Sequence, residues 1–256
     1  MIRIGVVGAS GRTGRFVLQA LRESDSCVLQ AAVVSPRSPQ RGHVVEGSAV
    51  VYSDSLEALR SCDVVIEFSN PTVSVSVAQQ CAEWGIPALL ASTGHSREQM
   101  VDIKQCAERV AVGLASNTSL GAAVLSVLAR QAKQLLGPAF DIEVMEIHHK
   151  MKKDAPSGTA RSLIQEIEYG SQVVFGREGT RAEGEIGVVS LRGGDVVGDH
   201  TVYFLGHGER IELSHRVSTR EVFGRGALAL AASLVGRPSG CYSAEDLLAG
   251  SKTSKT

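Results

Sequence analysis

The chain has 256 residues, of which 43% are hydrophobic and 21% are charged, and its formal net charge at pH 7 is −1. This composition excludes an intrinsically disordered protein, and the charge gives no overall attraction to nucleic acids or anionic membrane surfaces. No apolar run approaches the roughly 20 residues of a membrane helix, and Met1 leads directly into a strand pattern without a signal peptide, so a cytoplasmic protein is expected.

The cysteines are odd in number, widely spaced and without a C-x-x-C pair. They are Cys27, Cys62, Cys81, Cys106 and Cys241. Most of them lie among apolar residues, which is typical of reduced, buried thiols and not of a disulfide framework or a zinc site.

Apolar strands and helices alternate along residues 1–119. The predicted strands are residues 2–8, 29–34, 63–68, 87–91 and 110–114. The predicted helices are residues 13–22, 55–60, a segment opened by Pro71, and 97–107. Strands that alternate strictly with helices pair in parallel and are covered on both faces. We therefore predict an α/β fold here, a doubly wound, Rossmann-like dinucleotide-binding domain.

The pattern changes at residue 120. The elements that follow are a helix at 120–136 that stops at Gly137-Pro138, a strand at 140–148, a helix with apolar residues Ala160, Leu163, Ile164 and Ile167, and strands at 185–192, 200–205 and 209–217. Glycine turns separate the later strands, and few helices lie between them. This order predicts an inserted α+β domain with an open mixed sheet at residues 120–225, for substrate binding and oligomerisation.

Residues 226–256 form a predicted helical segment that returns to the first domain. An apolar helix is expected at 227–235, and the run from Ser243 to Asp246 resembles a capping box for a last short helix. The tail at 251–256 is polar and lacks apolar anchors, so it is expected to fray.

A glycine-rich loop follows the first predicted strand. Residues 8–14 read Gly-Ala-Ser-Gly-Arg-Thr-Gly and open the first predicted helix. Glycines allow a tight turn and a close approach to a pyrophosphate, which then meets the N–H groups at the helix start. A glycine triplet alone also occurs in ordinary turns, but its place between a strand and a helix favours a dinucleotide site.

Cofactor choice is expected to be set at the end of the second strand. A site that selects NAD usually has an acidic residue there, whereas this chain has Ser35-Pro36-Arg37-Ser38. Arg37 suits a 2′-phosphate, so we predict a preference for NADPH, with NADH as the other possible cofactor. The alternative is that Arg37 belongs to an exposed basic loop without a specific contact.

Two further loops follow predicted strands of the same sheet. They are residues 91–94 and 115–119, which are rich in small hydroxyl and amide side chains. Open α/β sheets bind ligands at the carboxyl ends of their strands, so these loops could line the nicotinamide and its ribose. They could equally be ordinary strand-to-helix turns.

Residues 146–160 concentrate groups for proton transfer and anion binding. On a strand ending at His148, this histidine shares a face with Glu146, and His149 lies on the other face. Histidine suits proton transfer near neutral pH, and Lys152 adds a positive charge or a second acid. Pro156 fits the first turn of a helix, where Ser157-Gly158-Thr159 would offer N–H groups and hydroxyls to a carboxylate.

Two other interpretations of this stretch are a zinc site and a solvated basic loop. Zinc binding is disfavoured because adjacent histidines point apart and no third ligand stands at helical spacing, so no metal is expected. A solvated basic loop would not explain the Ser-Gly-Thr segment beside the histidines.

The run E-I-H-H-K-M-K-K-D-A-P-S-G-T-A at residues 146–160 resembles the signature of the 4-hydroxy-tetrahydrodipicolinate (dihydrodipicolinate) reductase family of the diaminopimelate route to lysine. The resemblance extends over nearly the whole chain, through the glycine loop, the S-T-G and S-N-T-S-L-G loops, and residues 177–204. The signature is highly specific, whereas the glycine loop is not.

The resemblance implies a role for each matching residue. His148 would donate the proton, with Lys152 as its catalytic companion. The substrate's two carboxylates would be held by His149, Lys152, Ser157, Gly158 and Thr159. The implied cofactor contacts are Gly8, Ala9, Ser10, Gly11, Arg12, Thr13, Ala91, Ser92, Thr93, Ala115, Ser116, Asn117 and Thr118. The reaction would transfer hydride from NAD(P)H to a small cyclic dicarboxylate, giving tetrahydrodipicolinate, in a homotetramer built through the second domain.

Three positions depart from the family pattern. Ser35 stands where many members have an acid, which disfavours NADH. Thr118 replaces an aromatic residue found in some members, and Asn70 replaces a basic residue. None of the three belongs to the expected acid or to the carboxylate site.

Two alternative functions are compatible with parts of the chain. Another two-domain NADP-dependent dehydrogenase would explain the first domain but not residues 148–159. A non-enzymatic NADP-binding sensor would need the glycine loop and could dispense with His148 and Lys152.

Overall fold

The computed structural model describes residues 1–168 and 171–249. The strands are β1 (Ile2–Val7), β2 (Cys27–Val33), β3 (Tyr52–Ser53), β4 (Val64–Glu67), β5 (Ala88–Leu90), β6 (Ala111–Leu114), β7 (Asp141–His148), β8 (Val173–Phe175), β9 (Ile186–Arg192), β10 (Gly198–Leu205), β11 (Arg210–Val217) and β12 (Gly240–Ser243). The helices are α1 (Arg12–Arg22), α2 (Pro71–Trp84), α3 (Arg97–Ala107), α4 (Leu120–Leu136), α5 (Gly158–Ile167), α6 (Glu221–Leu234) and α7 (Ala244–Ala249).

The chain divides into two compact units. The first contains Met1–Leu120 together with the segment from Arg220 onward, and the second contains Gly121–Thr219. The return to the first unit therefore begins at Arg220 and not at residue 226. Helix α6 starts earlier than its predicted apolar run. Its first six residues mix Val222 and Phe223 with two glycines and with Glu221 and Arg225, which form an ion pair of 3.7 Å.

The first unit is built on a seven-stranded sheet in the order β12-β6-β5-β4-β1-β2-β3. Each neighbouring pair is parallel, as the alternation of strands and helices predicts. Every residue of β4 is buried, as expected of a strand covered on both faces. Burial raises the pKa of the Cys62 and Cys81 thiols to about 12, and all five cysteines are free thiols.

The second unit has a five-stranded mixed sheet in the order β11-β10-β7-β9-β8. Strand β10 runs antiparallel to both of its neighbours, whereas β7, β9 and β8 are parallel. Helices α4 and α5 cover one face, where Val144, Leu163, Val202 and Phe204 form part of a buried core. The predicted open mixed sheet is thus confirmed.

The parallel pairing in each unit determines where polar residues collect. The carboxyl ends of β1, β4, β5 and β6 lie at one edge of the first sheet, so the loops that follow them lie at the same edge. In the second sheet, β7 and β9 are in register, and His148 pairs with Arg192 at their common carboxyl end. These two edges carry the residues singled out by the sequence.

The C-terminal segment contains the predicted cap of the last helix. The Ser243 hydroxyl accepts from Asp246 N–H at 3.1 Å and Asp246 accepts from Ser243 N–H at 2.9 Å, which is the expected capping box. The tail at 251–256, expected to fray, lies outside the described residues. Within the described ranges, no helix is long and apolar enough to cross a membrane.

Candidate active site

Strand β7 alternates between a covered and an open face as it approaches its carboxyl end. Glu146 is fully buried and His148 is 7% exposed, whereas His149 is only partly buried. The strand period therefore separates the two adjacent histidines, as expected. The covered face is apolar at Ile142 and Val144 and becomes ionisable at Glu146 and His148.

Glu146 is the centre of a buried hydrogen-bond network. Its Oε2 accepts from Arg192 Nη1 at 2.8 Å and lies 2.5 Å from His148 Nδ1. Its Oε1 accepts from Arg192 Nη2 at 2.8 Å and from Ser157 N–H at 3.1 Å. Burial alone would raise the pKa of Glu146, but hydrogen bonds from Arg192, Ser190 and His148 outweigh it and lower the pKa to about 2. The carboxylate is therefore ionised at neutral pH.

His148 presents two different ring nitrogens. Nδ1 faces Glu146, and Nε2 faces Gly198, where an added Cβ would lie 2.9 Å from that nitrogen. Burial lowers the pKa of His148, the Glu146 carboxylate opposes this effect, and the nearby Lys152 and Arg192 charges lower it further. The net pKa lies below the usual value for histidine, so the surroundings of the ring favour its neutral form.

A second buried histidine packs against the first. The rings of His148 and His200 meet edge to face, with centroids 5.2 Å apart and planes at 75°. His200 Nε2 lies 3.0 Å from Ser157 Oγ, and within the described part of the chain its Nδ1 has no hydrogen-bond partner. Burial, with the His148 charge next, lowers the pKa of His200 to about 4, so this ring is neutral.

Helix α5 begins at Gly158, two residues after Pro156, which the sequence placed in its first turn. Ser157 is its N-cap, and the Ser157 hydroxyl accepts from Ala160 N–H at 3.1 Å. Pro156 therefore precedes the cap and does not occupy the first turn. Ser157 is 1% exposed and its oxygen is engaged with Ala160 and His200, and the contact of its hydroxyl with a carboxylate stays a prediction.

The remaining groups expected to bind carboxylates lie around this helix start. Gly158 is exposed, while His149, Lys152 and Thr159 are partly buried. Lys152 Nζ forms a 2.9 Å ion pair with Asp154, which the sequence interpretation did not include. Gly158 and Thr159 begin α5, and the positive end of the helix dipole favours an anion at this start.

The glycine loop of the first unit fits a bound dinucleotide. Gly8 has φ +76°, and a Cβ on Gly8 would collide with the carbonyl oxygen of Phe68, while one on Gly14 would collide with the carbonyl of Gly8. Gly11 N-caps α1, which has no acidic residue in its first turn. The close backbone approaches therefore require glycine, and the helix start is free of carboxylates that would repel a pyrophosphate.

The loops after β4 and β5 are joined by a buried carboxylate. Oε1 of the fully buried Glu67 accepts from Ser69 N–H and Ser69 Oγ at 2.5 Å each, and from Ser92 Oγ at 2.7 Å. The Ser92 hydroxyl, an expected cofactor contact, therefore serves to connect two loops. The adjacent Thr93 is exposed at the same edge.

The loop after β6 also uses some of its side chains internally. Thr118 is 2% exposed, and its hydroxyl donates to the Phe223 carbonyl at 2.8 Å. Asn117 Oδ1 accepts from Ser119 N–H at 2.9 Å, and both Ala91 and Ala115 are buried. Of the residues expected to contact the cofactor in this loop, Ser116 is the exposed one. A cofactor at this edge would therefore meet mainly backbone groups.

The segment after β2 lies near the glycine loop. Ser38 Oγ is 3.3 Å from Ser10 Oγ, and Arg37 is exposed. A pocket of about 640 Å³ lies beside α1 and is lined by Arg12, Arg15, Arg22 and Arg220, among others. Arg37 does not line this pocket. The basic lining next to the glycine loop comes mainly from one face of α1, which the sequence interpretation had not considered.

Three residues of the second unit were missed as site residues: Glu146, Arg192 and His200. Glu146 was placed on the face of His148, but its role was not recognised. In the sheet, Glu146 pairs with His200 on β10 and with Ser190 on β9. The sequence did contain a signal for them: ionisable residues stand at inward-facing positions of strands that are otherwise apolar, and a buried ionisable group needs a partner.

Within the described ranges, no three metal-ligating side chains are grouped as a metal site would require. A dinucleotide loop in one unit and a buried carboxylate–histidine pair beside a helix start in the other define the class of protein. It is an NAD(P)H-dependent oxidoreductase.

The chain belongs to the dihydrodipicolinate reductase family. The family's N-terminal model matches residues 2–118 and its C-terminal model matches residues 121–248. The 4-hydroxy-tetrahydrodipicolinate reductase of Syntrophotalea carbinolica is 38% identical over 97% of this chain and 99% of its own length. That of Anaeromyxobacter sp. strain Fw109-5 is 40% identical over 97% and 98%, respectively.

A solved structure shows the same fold. Dipicolinate-bound dihydrodipicolinate reductase from Paenisporosarcina sp. TG-14 superposes with a TM-score of 0.78 at 22% identity, over 95% of this chain and 97% of that one. A probable dehydrogenase from Thermotoga maritima is more distant, with a TM-score of 0.68 at 14% identity, over 96% and 92%.

Proposed function

We propose that this protein reduces 4-hydroxy-tetrahydrodipicolinate to tetrahydrodipicolinate with a hydride from NAD(P)H and a proton from His148, and that the 4-hydroxyl group of the substrate leaves as water. The observation that carries the proposal is the buried pairing of Glu146 with His148 Nδ1 at 2.5 Å, which leaves Nε2 for the substrate. The curated relatives named above carry the name of this activity and align over nearly their full length. The product belongs to the diaminopimelate route to lysine that the family resemblance implies.

The residues of the second unit have different proposed roles in the reaction. His148 in its protonated form donates a proton from Nε2, and Glu146 stabilises the positive charge before the transfer. Lys152 contributes a positive charge near His148. When bound, the nicotinamide supplies the hydride. The glycine at position 198 leaves room in front of Nε2 for the reacting part of the substrate.

The substrate's carboxylates are assigned to the start of α5 and the loop before it. Gly158 and Thr159 offer backbone N–H groups at the positive end of the helix, and His149 and Lys152 offer side-chain donors. Ser157 acts indirectly, because its hydroxyl caps the helix and thereby orients those N–H groups.

The test is NADPH oxidation by purified protein supplied with the condensation product of pyruvate and aspartate semialdehyde. We expect turnover by the wild type and a loss of about 10²–10⁴-fold in kcat for His148→Gln, the range for a general acid. Absence of turnover by folded wild-type protein would refute the proposed reaction. NADPH binding without turnover of any substrate would instead favour an NADP-binding sensor.

NADPH is the proposed preferred cofactor, with NADH as a weaker one. The support is the basic lining of the pocket beside α1, in which Arg12 and Arg15 lie next to the glycine loop, and the exposed Arg37. Guanidinium groups bind phosphate in bidentate fashion. We expect Arg12→Ala to lower kcat/KM for NADPH more than for NADH, with Arg37→Ala as the comparison. Equal losses with both cofactors in both variants would remove the proposed selectivity.

The assembly is proposed to be a homotetramer formed through the open face of the second sheet. On β9, Val189 and Leu191 point away from the helix-covered face and are 42% and 43% exposed. Exposed apolar rows on a sheet commonly mark an interface between subunits. The partially buried Met145 and Ile147 of β7 continue the same face.

The proposed compartment is the cytoplasm. Cys27, Cys62, Cys81 and Cys106 are buried free thiols, and burial raises the pKa of the three that lie in the first unit's core, Cys62, Cys81 and Cys106. Unpaired, protonated thiols are typical of proteins in a reducing compartment.

A further inference from the structure

A charged pair lies on an apolar face of the second sheet. Glu146 is fully buried, and Arg192 contacts both of its oxygens at 2.8 Å. Two and four positions earlier on the same face of β7 stand Val144 and Ile142, which contribute to the hydrophobic core. Burying an ion pair costs desolvation energy, and apolar residues of similar size often stabilise a fold equally well. The pair therefore calls for a reason beyond stability.

The contacts of Glu146 indicate that reason. The same carboxylate faces His148 Nδ1 through Oε2 and accepts the Ser157 N–H through Oε1 at 3.1 Å. His148 is the proposed acid, and Ser157 caps the helix whose first N–H groups are proposed to bind the substrate. One side chain thus contacts both parts of the site.

We propose that Glu146, held by Arg192, is the positioning residue of the proton-transfer site. It orients His148 with Nδ1–H toward the carboxylate and Nε2 toward the substrate. It also fixes the start of α5 relative to Nε2. This inference rests on the proposed function. Glu146 acts through His148 and Ser157, since its own oxygens are turned toward these groups and Arg192. In neutral histidine only one nitrogen carries a proton, so an acceptor on Nδ1 determines which nitrogen is left for transfer.

The other groups around the ring would not produce this orientation. Arg192 on β9 and Lys152 in the loop after β7 are cations and lower the pKa of His148. His200 on β10 meets the ring edge to face and carries no charge at neutral pH. Among these neighbours Glu146 is the anion, and its carboxylate both accepts from Nδ1 and favours the protonated ring.

The test compares Glu146→Gln with Glu143→Gln in the otherwise intact protein. Glu143 lies on the same strand and is also ion-paired, at 2.6 Å to Arg177, but it faces away from the helices. Nitrogen-15 NMR of the His148 ring in the wild type is expected to show a proton on Nδ1, independent of turnover. Glu146→Gln is expected to weaken this preference, because a neutral amide oxygen is a poorer acceptor than a carboxylate and the amide NH2 can face the ring instead, whereas Glu143→Gln is expected to retain it.

Kinetics supply the second readout. Glu146→Gln is expected to lower kcat by about 10²–10⁴-fold, with a smaller change in KM. The acid must be protonated to act, and removal of the anion lowers its pKa, so the fall of kcat at high pH should move to lower pH. Glu146→Asp, which keeps the charge, is expected to recover part of kcat. NADPH affinity should be unchanged in all three variants.

An unfolded Glu146→Gln variant would be replaced by Glu146→Met/Arg192→Met, which leaves no unpaired buried charge and removes the acceptor. A ring that keeps its proton on Nδ1 together with a wild-type pH profile in either folded variant would overturn the proposal. A rise in KM with unchanged kcat would also overturn it, since Glu146 would then only shape the carboxylate site. If the wild type does not turn over the substrate, the proposed reaction is refuted. The NMR measurement still tests whether Glu146 orients His148, because it does not depend on turnover.

Discussion

At the scale of single residues, the site depends on which strand positions face inward. The sequence pattern was sufficient to place His148 and Glu146 on one face and His149 on the other, because strand alternation is a local property. It could not reveal that Arg192 binds Glu146 or that His200 packs on His148, because those contacts join residues 46 and 52 positions apart in the chain. Pairing over such distances is set by sheet order, which a single sequence does not display.

His200 makes stability depend on pH. Its pKa is about 4 in the folded protein and about 6.5 in an unfolded chain. Between these values the unfolded state binds more protons, so stability is fully present above about pH 6.5 and declines as the pH falls toward about 4. The loss is on the order of 2–3 kcal/mol.

The measurement is urea unfolding of the wild type and of His200→Gln at several pH values in this window. Gln cannot titrate, so the variant is expected to show a smaller fall in unfolding free energy on acidification. Identical pH dependence of the two proteins would show that His200 is not neutral in the folded state.

Gly198 is expected to be essential for access to His148. A Cβ there would lie 2.9 Å from Nε2, so Gly198→Ala should displace the ring or block the substrate and lower kcat/KM by up to about 10²-fold, as expected for a displacement of about 1 Å. Gly193→Ala is the matched control, because a Cβ at Gly193 meets nothing within 4 Å. Equal kcat/KM values for the two variants would remove this role of Gly198.

At the scale of secondary structure, helices with clear end signals were predicted well. Helix α3 has the expected bounds, with Ser96 and Gln99 forming a capping box, and α4 begins and ends as expected. The start of α5 was misplaced because Pro156 and Ser157 both suit a helix start, and only the contact of Ser157 with Ala160 distinguishes them. Short strands such as β3 and β8 were not predicted, because they exist through pairing with longer neighbours.

The cap of α5 is expected to contribute more to stability than an ordinary N-cap. Ser157→Ala removes the bond to Ala160 N–H, a loss of about 1 kcal/mol, and leaves buried His200 without its partner, a further cost of about 1–3 kcal/mol. Urea unfolding should therefore show a loss of about 2–4 kcal/mol.

Ser96→Ala is the comparison for this cap, because exposed Ser96 also caps a helix but has no buried partner of this kind. Its expected cost is about 1 kcal/mol. If the two substitutions cost the same, the bond between Ser157 and His200 contributes nothing to stability.

At the scale of the whole molecule, the two kinds of sheet were predictable from the order of elements, since strict alternation implies parallel pairing. The limit of the second unit was less predictable, because the first six residues of α6 include two glycines and two charged residues, which weaken the helical pattern there. Strand β12 was also missed, although it pairs with β6 and completes the first sheet.

The proposed tetramer can be tested through the open face of the second sheet. We expect light scattering to give four times the chain mass for the wild type and a smaller species for Leu191→Glu, because a buried unpaired charge would destabilise the interface. Leu135→Glu is the control, since Leu135 is 87% exposed on α4. A monomeric wild type, or an unchanged tetramer in Leu191→Glu, would refute the proposed interface.

The placement of β12 has a consequence for the order of events during synthesis. The nucleotide-binding sheet takes its seventh strand from residues 240–243, whereas the second unit is complete once Thr219 has been made. A chain emerging from the ribosome can therefore finish the inserted unit while the unit that began first still lacks α6, β12 and α7. We expect His148, the proposed proton donor, to reach its native surroundings before the nucleotide loop gains the full support of its sheet.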